Sequence, residues 1–214
     1  MFLTQFEFNV QRRESRRVLA SAERIHASVL SSFPATSAEA GRILWRLDHG
    51  DHGRRELWIS SPEAPDLSAL VESCGWPSAQ TWRTADMEAL LSGLAPGQRW
   101  RFRLTANPVK VGPANGGRGK PVPLTIPGHV PWLFERAQGC GFSLGTSEEP
   151  TVMVTRSESL SFQKGRGHRV SLRLSQFDGV LEIQDPVAMR AAMTAGIGRA
   201  KAYGAGLLTL APLS

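Results

Sequence analysis

Among the 214 residues of this chain, five histidines are the side chains suited to moving a proton near neutral pH. His26 follows the apolar Ile25 and is the only histidine on the first helical stretch. Glu23 lies one helical turn before it, where it either orients the imidazole and raises its pKa or faces solvent as an ordinary helix residue. Two more histidines form His49-x-x-His52, interleaved with Asp48 and Asp51. That spacing invites a metal, but a short turn without a second ligand pair is better explained by polar turn chemistry, so no metal or other cofactor is expected. Two further clusters suit anions. Near the C-terminus Gly196, Gly198, Gly204 and Gly206 frame Arg199, Lys201 and Tyr203; the glycines either let the backbone approach a phosphate or merely allow positive backbone angles. In Lys164-Gly-Arg-Gly-His-Arg169, the cations Lys164, Arg166 and Arg169 sit on a narrow, glycine-containing segment.

The Gly-x-Gly at 196–198 does not open a dinucleotide site. Such a fingerprint follows a strand and begins a helix, whose N-terminus faces the pyrophosphate. Here a helical segment precedes the glycines and an apolar strand follows them.

Charge points to a polyanionic partner. The chain has 25 Lys and Arg against 19 Asp and Glu, a net charge of +6 and a pI near 10.1. The excess is uneven: residues 1–98 hold 10 cations and 12 carboxylates, whereas residues 99–214 hold 15 and 7. Twenty-one of the cations are Arg, whose planar fork grips phosphate and stacks on bases. The competing explanation is a solvated surface. With 41% hydrophobic residues the chain can build a core, which excludes wholesale disorder. No apolar run reaches the roughly 18 residues of a membrane span, and the N-terminal apolar stretch precedes its arginines, unlike a secretory signal. Cys74 and Cys140 cannot frame a disulfide scaffold, so a reducing, cytoplasmic location is expected, with no membrane partner.

The elements that must position these groups follow from periodicity. Phe2, Thr4, Phe6 and Phe8 alternate as a strand, and Val18, Ala22, Ile25 and Val29 predict one amphipathic helix over about Ser15–Ser32, stopped before Pro34. Ile43–Leu47 and Glu56–Ser60 read as strands around a Gly/Asp turn, with helical segments at Asp66–Cys74 and Asp86–Leu91. Arg99–Ala106 alternates Trp100, Phe102 and Leu104 against Arg99, Arg101 and Arg103, a strand with a cationic face. Residues 108–120 are Pro/Gly-rich and aperiodic, the best candidate for an interdomain linker. Beyond them come a helix at Val130–Gln138, paired strands at Thr151–Phe162 and Val170–Phe177, a strand at Gly179–Ile183, a helix capped by Asp185 with Pro186 in its first turn, and a final strand at Leu207–Leu210. The order predicts an α+β fold of two tandem ferredoxin-like (RRM-like) domains with antiparallel sheets, residues 1–107 and 121–214.

Phe102-Arg-Leu-Thr-Ala-Asn-Pro-Val-Lys110, Gly196-Ile-Gly-Arg-Ala-Lys-Ala-Tyr-Gly-Ala-Gly-Leu-Leu-Thr-Leu-Ala-Pro212, the opening Phe2-Leu-Thr and Ile25-His26 resemble the CasE family. These are the CRISPR RNA processing endoribonucleases of the type I-E Cascade complex, within the RAMP superfamily. The resemblance spans essentially the whole chain. It implies tandem ferredoxin-like domains and metal-independent cleavage of the precursor CRISPR RNA repeat at the base of its stem-loop. The attacking group would be the RNA's own 2′-hydroxyl, leaving a 2′,3′-cyclic phosphate and a 5′-hydroxyl. The product would stay bound and pass to other Cascade subunits.

By the same resemblance His26 is the catalytic histidine, with Glu23 and Tyr203 as auxiliary candidates. The family often places a tyrosine where this chain has Glu23, a departure that bears on the cleavage rate more than on RNA binding and keeps open the alternative of a non-catalytic CRISPR RNA-binding or assembly subunit. Lys164, Arg166 and Arg169 would form the basic hairpin that enters an RNA groove, and Arg24, Lys110, Arg199 and Lys201 are further phosphate candidates.

Overall fold

The alternation at the N-terminus becomes a strand because Thr4, Phe6 and Phe8 can bury one face together while Leu3, Gln5 and Glu7 take the other. This is β1, Phe2–Glu7. The computed structural model describes residues 1–76, 81–112, 121–164 and 168–213. They separate into two units: one of Met1–Gly93 with Thr194–Gly196 and Lys201–Leu207, the other of Leu94–Met193 with Ile197–Ala200 and Leu208–Ser214.

In the first unit β1 is followed by α1 (Arg13–Leu19), α2 (Ala22–Leu30) and the short α3 (Ser37–Ala40). The single helix expected over Ser15–Ser32 is therefore two. Ser21 takes an extended conformation (φ −148°, ψ 126°) and begins a new helix. Val18 still reaches the core from α1, and Ile25 and Val29 reach it from α2. The hairpin β2 (Leu44–His49) and β3 (Arg55–Ser61) comes next, then α4 (Ser68–Cys74), β4 (Trp82–Asp86) and α5 (Glu88–Ser92). Sheet order is β2-β3-β1-β4, with every pair antiparallel, the ferredoxin-like arrangement. Phe6, Phe8, Leu57, Ile59 and Trp45 of the sheet pack with Val18, Ile25, Val29 and Leu70 of the helices. Burial of such side chains contributes about 1.5–3 kcal/mol each.

In the second unit β5 (Arg99–Ala106) leads to a small hairpin, β6 (Val109–Val111) and β7 (Pro121–Pro123), and then to α6 (His129–Ala137). Strands β8 (Phe142–Ser143), β9 (Val152–Lys164) and β10 (His168–Ile183), helix α7 (Pro186–Ala195) and β11 (Leu208–Ala211) complete it. Its order is β11-β5-β10-β8, with β9 also on β10, again antiparallel. Asp185 caps α7 as expected: its Oδ1 accepts from the amides of Val187 and Ala188. Trp132 stacks on Phe177 with ring centroids 6.3 Å apart, and Phe102 meets Phe142 at 6.4 Å.

Two further expectations need correction. The first concerns the boundary at residue 107 and the linker at 108–120. β5 is the partner of β10 and β11, so it belongs to the second unit, and the first unit's N-terminal stretch ends at Gly93. Alternation identified β5 as a strand without saying which sheet it would join. Of the supposed linker, Val109–Val111 is a strand of the second unit, paired with Pro121–Pro123. The second correction joins Val170–Phe177 and Gly179–Ile183 into the single strand β10, with a register shift at Gln176/Phe177. The strand runs on through Gly179, a position where a Cβ would run into the Thr151 carbonyl oxygen.

Candidate active site

α2 sets His26 at the edge of the first unit's core. Ile25 and Val29 are buried, and His26, one step around the helix from Ile25, is half-buried. Trp45 of β2 is 2% exposed and lies in the same core, where its bulk is satisfied but its indole N–H needs an acceptor. It finds one in His26: Nε1–H donates to Nδ1 at 3.2 Å. Burial pushes the His26 pKa below 6.5, because a part-desolvated imidazolium is disfavoured.

The glycine-rich segment is built against the same residues. Gly204 has φ +83°, and a Cβ on it would fall 2.7 Å from Cζ3 and 3.0 Å from Cη2 of Trp45, so bare backbone lies on the indole. The preceding 3-10 turn, Lys201–Tyr203, packs against α2 and β2. Arg46 fixes where the segment leaves. It is buried, its Nε and Nη2 grip the two oxygens of Asp48 at 2.6 and 3.0 Å, and its Nη1 donates to the Leu207 carbonyl at 3.2 Å. The first unit thus collects His26, Glu23, Arg24, Lys201 and Tyr203 on packed neighbouring elements.

Glu23 is half-buried one turn before His26, but the group that orients the imidazole is Trp45, and the pKa moves down rather than up. Arg24 is exposed and donates to the Arg17 carbonyl at 3.0 Å. The second unit holds Lys110, exposed on β6, and Arg199, exposed in the glycine-rich segment. Lys164 and Arg169 lie on β9 and β10, where their backbones pair with His168 and Gln163, while Arg166 lies outside the described residues.

The cationic face of β5 is partly neutralised. Arg103 Nε pairs with Asp178 at 2.6 Å, and Arg101 Nε donates to the Pro212 carbonyl at 3.0 Å. Burial raises the Asp178 pKa, but hydrogen bonds from Arg103, Thr155 and Gln176 outweigh that effect and hold it below 3.8. At His49-x-x-His52, Asp48 is committed to Arg46, and among the described residues no three His, Cys, Asp or Glu side chains are grouped to hold a metal. A cleft lined by Glu7, Arg54, Trp76 and Trp82 lies toward β4, the opposite edge of the sheet from Trp45; Arg54 and Glu7 pair across it at 2.8 Å.

Sequence reasoning passed over Trp45 because an aromatic in an apolar strand reads as core. The available signal was its N–H, a donor that burial does not silence.

Two antiparallel sheets of ferredoxin-like order, with a half-buried histidine on a helix packed against a glycine-rich turn, place the chain among the tandem ferredoxin-like proteins. More narrowly, it belongs to the CRISPR associated protein family, which it matches over residues 1–212. It is 34% identical over 223 residues to the CRISPR-associated endoribonuclease Cse3 of Thermus thermophilus, spanning 99% of this chain and 100% of that protein. It is also 34% identical over 114 residues to the CRISPR system Cascade subunit CasE of Escherichia coli (strain K12), 52% of this chain and 57% of that one. A solved structure of the CRISPR endoribonuclease Cse3 bound to a 19 nt RNA superposes with a TM-score of 0.85 at 32% identity, covering 99% of this chain and 100% of that one. The CRISPR-associated protein Cas6e from Escherichia coli K-12 superposes with a TM-score of 0.61 at 25% identity over the full length of both. Among the described residues no helix is long and apolar enough to cross a membrane.

Proposed function

We propose that this chain is an endoribonuclease that cuts the repeat of precursor CRISPR RNA at the base of its stem-loop without a metal, working in the cytoplasm, and hands the bound product to other Cascade subunits. The observation that carries the reading is His26 held by Trp45, on a helix and a strand that both pack against the Lys201–Tyr203 turn. The full-length relationship to Cse3, named an endoribonuclease and solved with RNA, supports the substrate class. The likeness to CasE, named a Cascade subunit, supports the partner.

RNA supplies its own nucleophile. The 2′-hydroxyl loses a proton and attacks the adjacent phosphorus, and the P–O5′ bond breaks. The 5′-oxygen gains a proton, leaving a 2′,3′-cyclic phosphate and a 5′-hydroxyl. The protein must hold a proton at this centre, offset the charge gathering on phosphorus and keep the atoms in line. His26 is assigned the first task. Arg24 and Lys201, both in the first unit, are assigned the charge, with Tyr203 as a hydroxyl donor and Glu23 as an auxiliary carboxylate on α2, while Arg199, in the second unit, is assigned to RNA phosphates. Lys110, Lys164, Arg166 and Arg169 are assigned to the stem phosphates, which carry most of the affinity for a duplex read by shape.

The test is His26→Ala on a synthetic repeat hairpin in excess chelator. Wild type cuts in chelator, and the variant loses about 10²–10⁴-fold in rate with affinity largely kept. Undiminished cutting by the variant refutes His26, and wild-type activity abolished by chelator refutes the metal-free route.

A further inference from the structure

Trp45 does more than fill the core. An indole has one polar hydrogen and no acceptor, so its contact with His26 runs in one direction only. Nδ1 must offer a lone pair at 3.2 Å, and a neutral imidazole carries its single proton on the other nitrogen. Protonating Nδ1 would set two N–H groups against each other beside a side chain that is 2% exposed and cannot turn to water. Gly204 packs against the six-membered ring of the indole, so closely that a Cβ there would lie 2.7 Å from Cζ3.

We infer that Trp45 is a positioning residue for the reaction: its Nε1–H fixes the neutral tautomer of His26 with the proton on Nε2. This deepens the proposed function and rests on the assignment of His26 made there. Among the described residues Nε2 has no hydrogen-bond partner, which leaves its N–H for the substrate. His26 then meets RNA as a hydrogen-bond donor that keeps its proton, steadying the charge that builds on the phosphate or on the departing 5′-oxygen, while the 2′-hydroxyl gives its proton to water and the 5′-oxygen takes one from water. To take the 2′-hydroxyl proton on Nε2, the ring would first have to carry its own proton on Nδ1 and give up Trp45.

The charged neighbours do not set this state. On α1, Glu14 and Arg17 pair with each other and Arg16 binds the Val10 and Gln11 carbonyls. On β2, Arg46 holds Asp48. Arg13 on α1, His49 on β2, Glu23 and Arg24 on α2, and Lys201 and Tyr203 in the packed turn are the other titratable or charged groups of these elements. Burial, not a neighbouring charge, is what lowers the His26 pKa.

Histidine labelled with ¹⁵N reports the tautomer directly, so wild-type protein is measured first, followed by Trp45→Phe. The expected wild-type spectrum is the Nε2–H tautomer above the lowered pKa. In Trp45→Phe the tautomer loses its bias and the pKa rises by about one unit, the worth of one net hydrogen bond. Because the working form is the neutral ring, the acid limb of the cleavage profile moves to higher pH by the same amount. An Nδ1–H tautomer in the wild type overturns the inference without any variant. So does an unmoved tautomer, pKa and acid limb in folded Trp45→Phe. Failure of the underlying reading is a separate result: His26→Ala would still cleave, whatever the tautomer.

Discussion

Adding a single methyl group at Gly204 tests whether the glycine-rich segment belongs to the site or merely passes it. Gly204→Ala carries two costs that can be separated. A non-glycine residue at φ +83° loses about 1–2 kcal/mol to left-handed strain. The new Cβ also lies 2.7 Å from a buried indole hemmed in by the core, and overpacking of that kind costs about 1–3 kcal/mol. Gly53→Ala isolates the first cost: its φ is +79°, and a Cβ there meets nothing within 4 Å. Gly53→Ala should therefore lose about 1–2 kcal/mol and Gly204→Ala about 2–5 kcal/mol. At about 2–4 °C per kcal/mol for a chain of this size, the melting temperature falls by about 2–8 °C and 4–20 °C respectively. Relief of the clash moves Trp45 off His26 Nδ1, so Gly204→Ala should also slow repeat cleavage at temperatures where it remains folded, while Gly53→Ala should not. Thermal unfolding by circular dichroism and single-turnover cleavage read the two quantities. Equal destabilisation by both variants, with equal cleavage, would show that the segment does not press on Trp45 and that the contact has no bearing on the chemistry.

Two further outcomes follow from the charges. Asp178 has its carboxyl pKa held below 3.8, so its ion pair stabilises the fold above that value and is lost as pH falls through the lowered pKa. Asp178→Asn should be less stable than wild type at pH 7, with the gap closing below about pH 4 in denaturant titrations; a constant gap contradicts the assignment. For the exposed cations Lys110 and Arg199, alanine substitution should weaken binding of the repeat hairpin and reduce the slope of log K against log salt by about 0.7–0.9 for each phosphate contact removed. An unchanged slope means that the side chain does not touch phosphate.

Much of the fold is written in local patterns. The alternation of Thr4, Phe6 and Phe8 and the Asp185-Pro186 start of α7 are short-range signals, and both became the elements they suggest. What stayed hidden depends on partners far along the chain. β4 has one bulky apolar residue, Trp82, because an edge strand exposes most of its length. The Asp178-Gly179 step reads as a break in β10, yet the glycine is there because the Thr151 backbone lies against it. His26 was legible by residue type and resemblance. Its partner Trp45, 19 positions later on another element, was not, since a periodic pattern places a side chain on a face without saying which single polar hydrogen it will offer.

The path of the chain also bears on how such a protein can be inherited. Having left the first unit at Gly93, the backbone returns to it at Thr194–Gly196 and again at Lys201–Leu207. A gene fragment encoding only the first ninety-three residues would carry His26 and Trp45 but not the Gly204 backbone over the indole or the Leu207 carbonyl on Arg46. The histidine end therefore does not travel as a cassette: shuffling at the midpoint of the sequence separates His26 and Trp45 from the backbone packed on them, and only exchange of both stretches together moves the intact packing to a new protein.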